Sequence, residues 1–218
     1  MSYLNELGVF YAPYKLMQMV GPDFLGKVCS FADQTHGWLS PHQTSILYLC
    51  SFLTKGKIVE VGCWKGKSTT AIGLGADPNA TAIFVVDSFE GDSGHKAEFD
   101  VSTIRPDFDK QMERVGLTNR IIVQPGFSIE VAKQHEDDSV SMLFLDAAHE
   151  YDSVKEDILA WSPKLKSGGK VYFHDYPADG DPNGGFEELK QAVDEEVRFN
   201  KNFKDFGHCY GLAGAEKV

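Results

Sequence analysis

Residues 57–70, which read KIVEVGCWKGKSTT, determine the fold that we predict for this chain. A short apolar run leads into a turn that contains Gly62 and Gly66. The hydroxyl residues Ser68 and Thr69 follow, where a capped helix is expected to begin. A buried strand, a glycine-bearing turn and a capped helix form the first unit of α/β domains that bind nucleotide-like ligands at the ends of their strands.

The rest of the chain alternates between strand-like and helical patterns. Strands are expected at 57–61, 81–87, 120–124, 140–146 and 170–173, with one or two more in the tail at 203–214, and helices at 68–75, 107–115, 151–165 and 186–197 and after Ser40. This alternation predicts an α/β, Rossmann-like sheet of about seven mostly parallel strands with helices on both faces. Residues 1–36 fit the pattern poorly, so we expect a small N-terminal helical cap on a single domain over 37–218.

Composition narrows the range of functions. The 218 residues suit one α/β domain with a sizeable core. Thirty-two acidic against 21 basic residues give a net charge of −11, which disfavours nucleic acid as a partner. The four cysteines lack metal-site spacing and are expected as free thiols in a reducing cytosol. The apolar runs are far shorter than the roughly 18–20 residues that span a bilayer, so a cytoplasmic protein without a membrane partner is expected.

The acidic residue Glu60 lies on the first strand, two residues before Gly62. A carboxylate at this place repels a pyrophosphate but suits a ligand that carries an ammonium group. An acid, a glycine and a second glycine four residues later resemble motif I of class I S-adenosylmethionine-dependent methyltransferases. Trp64 stands where the commonest form of the motif has a middle glycine.

The resemblance implies S-adenosyl-L-methionine as the cofactor. Asp87 closes the second strand, 25 residues after Gly62, where an acid can bind both ribose hydroxyls. Dinucleotide enzymes use the same acid, so a nicotinamide-dependent dehydrogenase is an alternative, disfavoured by Glu60 and by glycine spacing that departs from G-x-G-x-x-G. The expected cofactor-binding residues are Glu60, Gly62, Gly66, Ser68, Asp87, Ser88, Ser128 and Asp146.

A second group of polar residues follows the fourth and fifth strands. The fourth strand ends FLDAAHEY and the fifth ends VYFHDY, which brings Asp146, His149, His174 and Asp175 together beside the cofactor pocket. Carboxylates from adjacent strands can hold a hard divalent cation, and an imidazole can take the proton of a hydroxyl group. We expect His149 and Asp146 to be catalytic. Asp146, Asp175 and His174 are the candidate ligands for magnesium or another divalent cation, whose presence is an open question.

Four segments extend the resemblance: GWLSPHQTSILYLCSFL, IVEVGCWKGKST, FLDAAHEYDSVKEDILAWSPKLKSGG and VYFHDY. Together they resemble a bacterial class I methyltransferase group related to macrocin-type sugar O-methyltransferases and cephalosporin-hydroxylase-like proteins, over about residues 37–175. In the sugar-modifying relatives, an Asp after the fourth strand and an acidic pair after the fifth bind magnesium, and a His three residues after the first Asp is the base. Asp146, His149 and Asp175 match this pattern, whereas His174 replaces the first acid of the pair. Tyr176 follows Asp175 where catechol-type O-methyltransferases have an asparagine.

The function implied by the resemblance is methylation of a hydroxyl group on a small molecule or sugar. A non-catalytic adenosyl-ligand-binding protein is a further alternative, because fold does not determine function. Whether the protein forms a homo-oligomer is left open. Five aromatic residues near the N-terminus suit either an acceptor pocket or core packing: Phe10, Tyr11, Tyr14, Phe24 and Trp38.

Overall fold

A seven-stranded sheet forms the centre of the structure. The computed structural model describes residues 6–91, 93–177 and 184–218, and for residues 93–95 it describes the backbone alone. The strands are β1 (Lys57–Val61), β2 (Ile83–Asp87), β3 (Ile121–Pro125), β4 (Val140–Leu145), β5 (Leu165–Phe173), β6 (Phe203–Cys209) and β7 (Leu212–Lys217). Their order is β3-β2-β1-β4-β5-β7-β6, and only β7 runs antiparallel to its neighbours. The predicted Rossmann-like sheet is therefore confirmed.

Helices cover both faces of this sheet. They are α1 (Tyr11–Met19), α2 (Pro22–Ala32), α3 (Pro41–Phe52), α4 (Lys67–Gly75), α5 (Ser93–Glu98), α6 (Ile104–Arg114), α7 (Ser128–Ala132), α8 (Tyr151–Trp161) and α9 (Glu187–Val193). A π-helical turn, Asp194–Arg198, continues α9. Within the described residues, no helix has the length and apolar character that crossing a membrane requires.

Alternation along the strands divides the core into two layers. Ile58 and Met142 belong to the layer that contacts α3 and α4, while Val59 and Leu143 belong to the layer on the opposite face of the sheet. Because successive side chains of a strand point to opposite faces, a strand buried on both faces consists of consecutive apolar residues. This accounts for the apolar runs from which the strands were predicted.

The N-terminal segment is more closely integrated than the predicted helical cap. Phe10 is fully buried in the core layer that also contains Ile58, and its ring centroid lies 5.3 Å from that of Tyr172 on β5. Helix α3 begins with a capping box, in which Ser40 Oγ accepts from the Gln43 amide and Gln43 Oε1 accepts from the Ser40 amide. The cap fixes the start of α3.

Hydrogen bonds beyond the ends of the central strands position the site. The amides of Gly62, Asp146 and His174 each donate to the last carbonyls of a neighbouring strand, at 2.9, 2.9 and 3.1 Å. The residues that follow β1, β4 and β5 are therefore fixed side by side at one edge of the sheet. This edge is where open α/β sheets bind their ligands.

Candidate active site

A cavity of about 1370 Å³ opens at the carboxyl ends of β1, β2, β4 and β5. Single pockets for drug-sized ligands usually measure about 300–1,000 Å³, so this cavity has room for a cofactor and a second molecule. Nine of the residues predicted for the site line it: Gly62, Ser68, Asp87, Ser88, Ser128, Asp146, His149, His174 and Asp175. Glu60 and Gly66, also predicted, are not among the lining residues.

The turn after β1 needs its two glycines for different reasons. Gly62 has φ +83°, and a Cβ added there would clash with the backbone carbonyl of Asp146. Gly66 has φ +90° and precedes α4, and an added Cβ would lie 2.9 Å from Met112 Cε in the core. Gly62 thus lets the turn after β1 pass close to the backbone of Asp146 at the cavity. Gly66 is needed for the left-handed conformation of the turn and for its packing against the core. Trp64 also adopts a left-handed conformation, φ +48°, which explains why a glycine suits this position.

Asp87 organises the same turn. Its Oδ2 accepts from the amides of Cys63 and Trp64 at 2.8 and 3.0 Å, and its Oδ1 accepts from the amide of Phe89 at 2.7 Å. A carboxylate has about four acceptor positions, so capacity remains for a ligand hydroxyl. Asp87 therefore combines a structural role in the turn with a place in the cavity wall.

Glu60 lies on β1 as expected, but its side chain does not line the cavity. It is fully buried beneath the turn, on the same face of β1 as Ile58, and Thr69 Oγ1 donates to its Oε2 at 2.6 Å. Its Oε1 has no hydrogen-bond partner among the described residues. Burial raises the pKa of Glu60 to about 8, and the charges of Asp146 and Asp87 act in the same direction. A mostly neutral, buried carboxyl group does not meet a ligand's ammonium directly, because strand alternation turns it towards α4 and away from the cavity.

The four polar residues after β4 and β5 do come together. His174 Nδ1 lies 3.2 Å from Asp146 Oδ1 and 3.1 Å from Asp175 Oδ2, and His149 Nε2 lies 3.0 Å from Asp175 Oδ2. The imidazole ring of His149 stacks on Phe186, with 4.0 Å between centroids and 17° between planes. The cluster is a continuous chain of imidazoles and carboxylates on the cavity wall.

The protonation of this cluster follows from its contacts. Burial acts to lower the pKa of His174, but the carboxylates of Asp146 and Asp175 outweigh it and raise that pKa to about 10. Burial opposes the shift at Asp175 too, yet hydrogen bonds from His149 and His174 hold the pKa of Asp175 below its usual range. The pKa of His149 is raised, again against burial, by its hydrogen bond to Asp175. The two carboxylates therefore favour the protonated form of His174.

The donor set for a metal ion differs from the predicted one. Ligand atoms of Asp146, His149 and Asp175 lie within 4.8 Å of one another, close enough to share a cation. His174 is only 2 % exposed, and its Nδ1 already contacts both carboxylates. His149, and not the predicted His174, is therefore the third member of this group of potential ligands. Two carboxylates with one imidazole fit a divalent cation, and the imidazole favours manganese or zinc over magnesium.

The cavity wall contains both predicted and unpredicted residues with hydrogen-bond partners. Ser128 Oγ, a predicted cofactor contact, accepts from Trp161 Nε1 at 2.9 Å, and Asp157 beside it has its pKa raised by burial to about 6. His36 lines the cavity, and its Nδ1 accepts from Trp64 Nε1 at 3.2 Å. Among the five N-terminal aromatic residues considered above, Trp38 alone is a lining residue in the described part of the chain. No sequence motif pointed to His36 or Asp157.

Comparison with known proteins identifies the family. The sequence profile of a methyltransferase domain family matches residues 59–176, more than half of the chain. The chain belongs to this methyltransferase family. The match begins on β1 and ends just after β5, so it contains the turn after β1 and all four residues of the polar cluster.

Similar proteins agree with the methyltransferase fold. An uncharacterized protein, y4gI, of Sinorhizobium fredii is 30% identical over 147 residues, covering 66% of this chain, which spans only about a sixth (16%) of that protein's length. The O-methyltransferase TomG from Streptomyces achromogenes, solved with S-adenosylmethionine, superimposes with a TM-score of 0.63 at 14% identity, covering 100% of this chain and 99% of TomG. An O-methyltransferase from Bacillus cereus, solved with S-adenosylhomocysteine, superimposes with a TM-score of 0.61 at 15% identity, covering 91% of this chain and 93% of the other. The methyltransferase PaMTH1 of Podospora anserina superimposes with a TM-score of 0.64 at 15% identity, covering 91% of this chain and 89% of PaMTH1.

Proposed function

We propose that this methyltransferase transfers the methyl group of S-adenosyl-L-methionine to a hydroxyl group of a small molecule or sugar. The observation that carries the proposal is the hydrogen-bonded His149–Asp175 pair, on the wall of the same cavity as the turn after β1. The solved O-methyltransferases from Streptomyces achromogenes and Bacillus cereus support it, since each shares the fold and was solved with S-adenosylmethionine or S-adenosylhomocysteine.

The cofactor would lie along the ends of β1 and β2. Gly62 leaves room for close approach, and Asp87, which keeps acceptor capacity beyond its three backbone bonds, would accept from a ribose hydroxyl. Ser68 and Ser88 line the same part of the cavity. Glu60 would act indirectly, through Thr69 and the start of α4, and would not touch the cofactor.

His149 would be the base. Asp175 accepts from Nε2–H, which leaves Nδ1 as the basic nitrogen of the neutral ring, and Nδ1 makes no hydrogen bond to the described residues. The acceptor hydroxyl transfers its proton to Nδ1 as its oxygen attacks the methyl carbon. The new O–CH₃ bond forms while the S–CH₃ bond breaks, and S-adenosylhomocysteine leaves with the sulfur's electron pair. Asp175 stabilises the imidazolium that results.

Metal assistance is part of the proposal. The carboxylates of Asp146 and Asp175 would hold the ion, and His149 would lie beside it without coordinating it, so that Nδ1 can still accept a proton. A bound divalent cation lowers the pKa of a coordinated hydroxyl group. The residues of the cluster still orient the acceptor and accept its proton.

Two measurements test the proposed function. Calorimetric titration with S-adenosylmethionine, S-adenosylhomocysteine and NAD decides the cofactor, and binding of NAD alone would refute the proposal in favour of a dehydrogenase. Formation of S-adenosylhomocysteine is then assayed with hydroxylated acceptors for the wild type and for His149→Ala. His42→Ala is the matched control, because His42 is exposed and does not line the cavity. Cofactor binding without methyl transfer to any acceptor would favour a non-catalytic binding protein.

A further inference from the structure

The wall of the cavity is strongly acidic. Among its described lining residues, ten are Asp or Glu, whereas Lys67 is the one Lys or Arg. Lys67 Nζ is itself paired with Asp33 at 2.8 Å, so its charge is already balanced. Clefts lined by one sign of charge attract ligands of the opposite sign and repel ligands of the same sign.

Two of these acids adjoin, in the chain, the proposed base or the aromatic ring that stacks on it. Glu150 follows His149 in the chain, and Glu187 follows Phe186, whose ring stacks on His149. Both glutamates are exposed, and neither side chain makes an ion pair or hydrogen bond with the described residues. Asp146 and Asp175, in contrast, are both engaged by histidines.

The cofactor does not account for these two glutamates. S-adenosylmethionine carries a positive sulfonium, but its proposed contacts lie at Gly62 and Asp87, after β1 and β2. Glu150 and Glu187 lie after β4 and at the start of α9, on the side where the acceptor must reach His149. Phe186 is 46% exposed there and offers an aromatic face, which attracts a cation.

We infer that the acceptor is a hydroxylated amine or quaternary ammonium compound, whose positive group lies beside Phe186 between Glu150 and Glu187. The inference rests on the proposed function and specifies its acceptor. Acceptors that carry a phosphate, a carboxylate or a coenzyme A group are disfavoured at this site, because their charge would face unbalanced carboxylates.

Binding of three small probes tests the charge preference. Benzylammonium, benzyl alcohol and benzoate share one ring and differ in charge, and their affinities are measured by NMR titration of protein saturated with S-adenosylhomocysteine. We expect benzylammonium to bind at least about fivefold more tightly than benzyl alcohol, with benzoate weakest, and we expect this preference to shrink as salt screens the charges. Equal or stronger binding of benzoate or benzyl alcohol, or no saturable binding of benzylammonium, overturns the inference.

A pair of double variants assigns the effect to the two glutamates. Glu150→Gln/Glu187→Gln should weaken benzylammonium about three- to tenfold and leave benzyl alcohol unchanged, as expected for two exposed ion pairs. Glu113→Gln/Glu136→Gln removes the same charge from exposed sites outside the cavity and should change neither. Equal effects of the two double variants would show that only the net charge of the protein acts. Binding of S-adenosylhomocysteine is measured first, and its absence would refute the proposed function. If S-adenosylhomocysteine binds but benzylammonium does not, only this inference is refuted.

Discussion

Replacing Glu60 by glutamine should change how the stability of this protein depends on pH. Glutamine has nearly the same shape, keeps a carbonyl oxygen for Thr69 and cannot ionise. The carboxyl group of Glu60 is fully buried, and its Oε1 has no partner among the described residues. The charged form of Glu60 is therefore poorly stabilised in the folded protein.

The expected magnitude follows from the pKa. Burial raises the pKa of Glu60 from 4.5 to about 8. Between these values the folded state binds more protons than the unfolded state, so the free energy of unfolding falls as pH rises. At 1.36 kcal/mol per pKa unit, the loss from pH 4.5 to pH 8 amounts to at most about 4 kcal/mol. Glu60→Gln lacks this loss. Its buried amide N–H costs about 1–3 kcal/mol if unpaired, but that term does not depend on pH.

Urea unfolding from pH 5 to pH 8.5 measures the difference between the two proteins. The free energy of unfolding of Glu60→Gln, relative to the wild type, should increase steadily over this range. All histidines are present in both proteins, so their titration cancels in the comparison. Parallel curves for the wild type and Glu60→Gln would refute the raised pKa, and with it the assignment of Glu60 as a neutral buried group.

Three other predictions concern the cavity. Asp87→Ala should lower the affinity for S-adenosylhomocysteine at least tenfold in calorimetry, because charge-assisted bonds contribute about 1.5–3 kcal/mol each, and an unchanged affinity would contradict the ribose contact. His149→Ala should reduce turnover about 10²–10⁴-fold while the cofactor affinity stays within a factor of about two. In the wild type, turnover should rise with pH through the raised pKa of His149, because the base must be neutral; a flat profile would exclude this role. A chelator should abolish turnover reversibly, and full activity in chelator together with an unimpaired Asp146→Asn would remove the metal from the mechanism.

The sheet and the location of the site could be predicted from the sequence because both depend on local patterns. Consecutive apolar residues indicate strands buried on both faces, and residues that follow parallel strands must meet at one edge. This reasoning predicts a cluster of Asp146, His149, His174 and Asp175. In the structure each of the four lies within hydrogen-bonding distance of at least one other member.

The details that the sequence did not yield depend on side-chain direction and on distant contacts. Glu60 shares a face of β1 with Ile58, so its side chain points into the core, whereas the resemblance to the motif indicated a contact with the ligand. The choice between His149 and His174 as the third member of a metal group depends on ring orientation, which spacing does not determine. Phe10 packs on β5, more than 150 residues away in sequence, and a local sequence pattern does not predict such a contact.

The contact between Gly62 and the backbone of Asp146 links cofactor recognition to chemistry. Any side chain at position 62 would displace the start of the polar cluster, so a substitution there would also shift Asp146, the carboxylate for which a catalytic role is proposed. Attempts to broaden the range of transferred groups by changes in this turn should therefore fail through lost turnover even where binding succeeds. Positions 36–39 line the cavity from a separate part of the chain, but His36 is hydrogen-bonded to Trp64 in this turn, so substitutions there are expected to affect the turn as well.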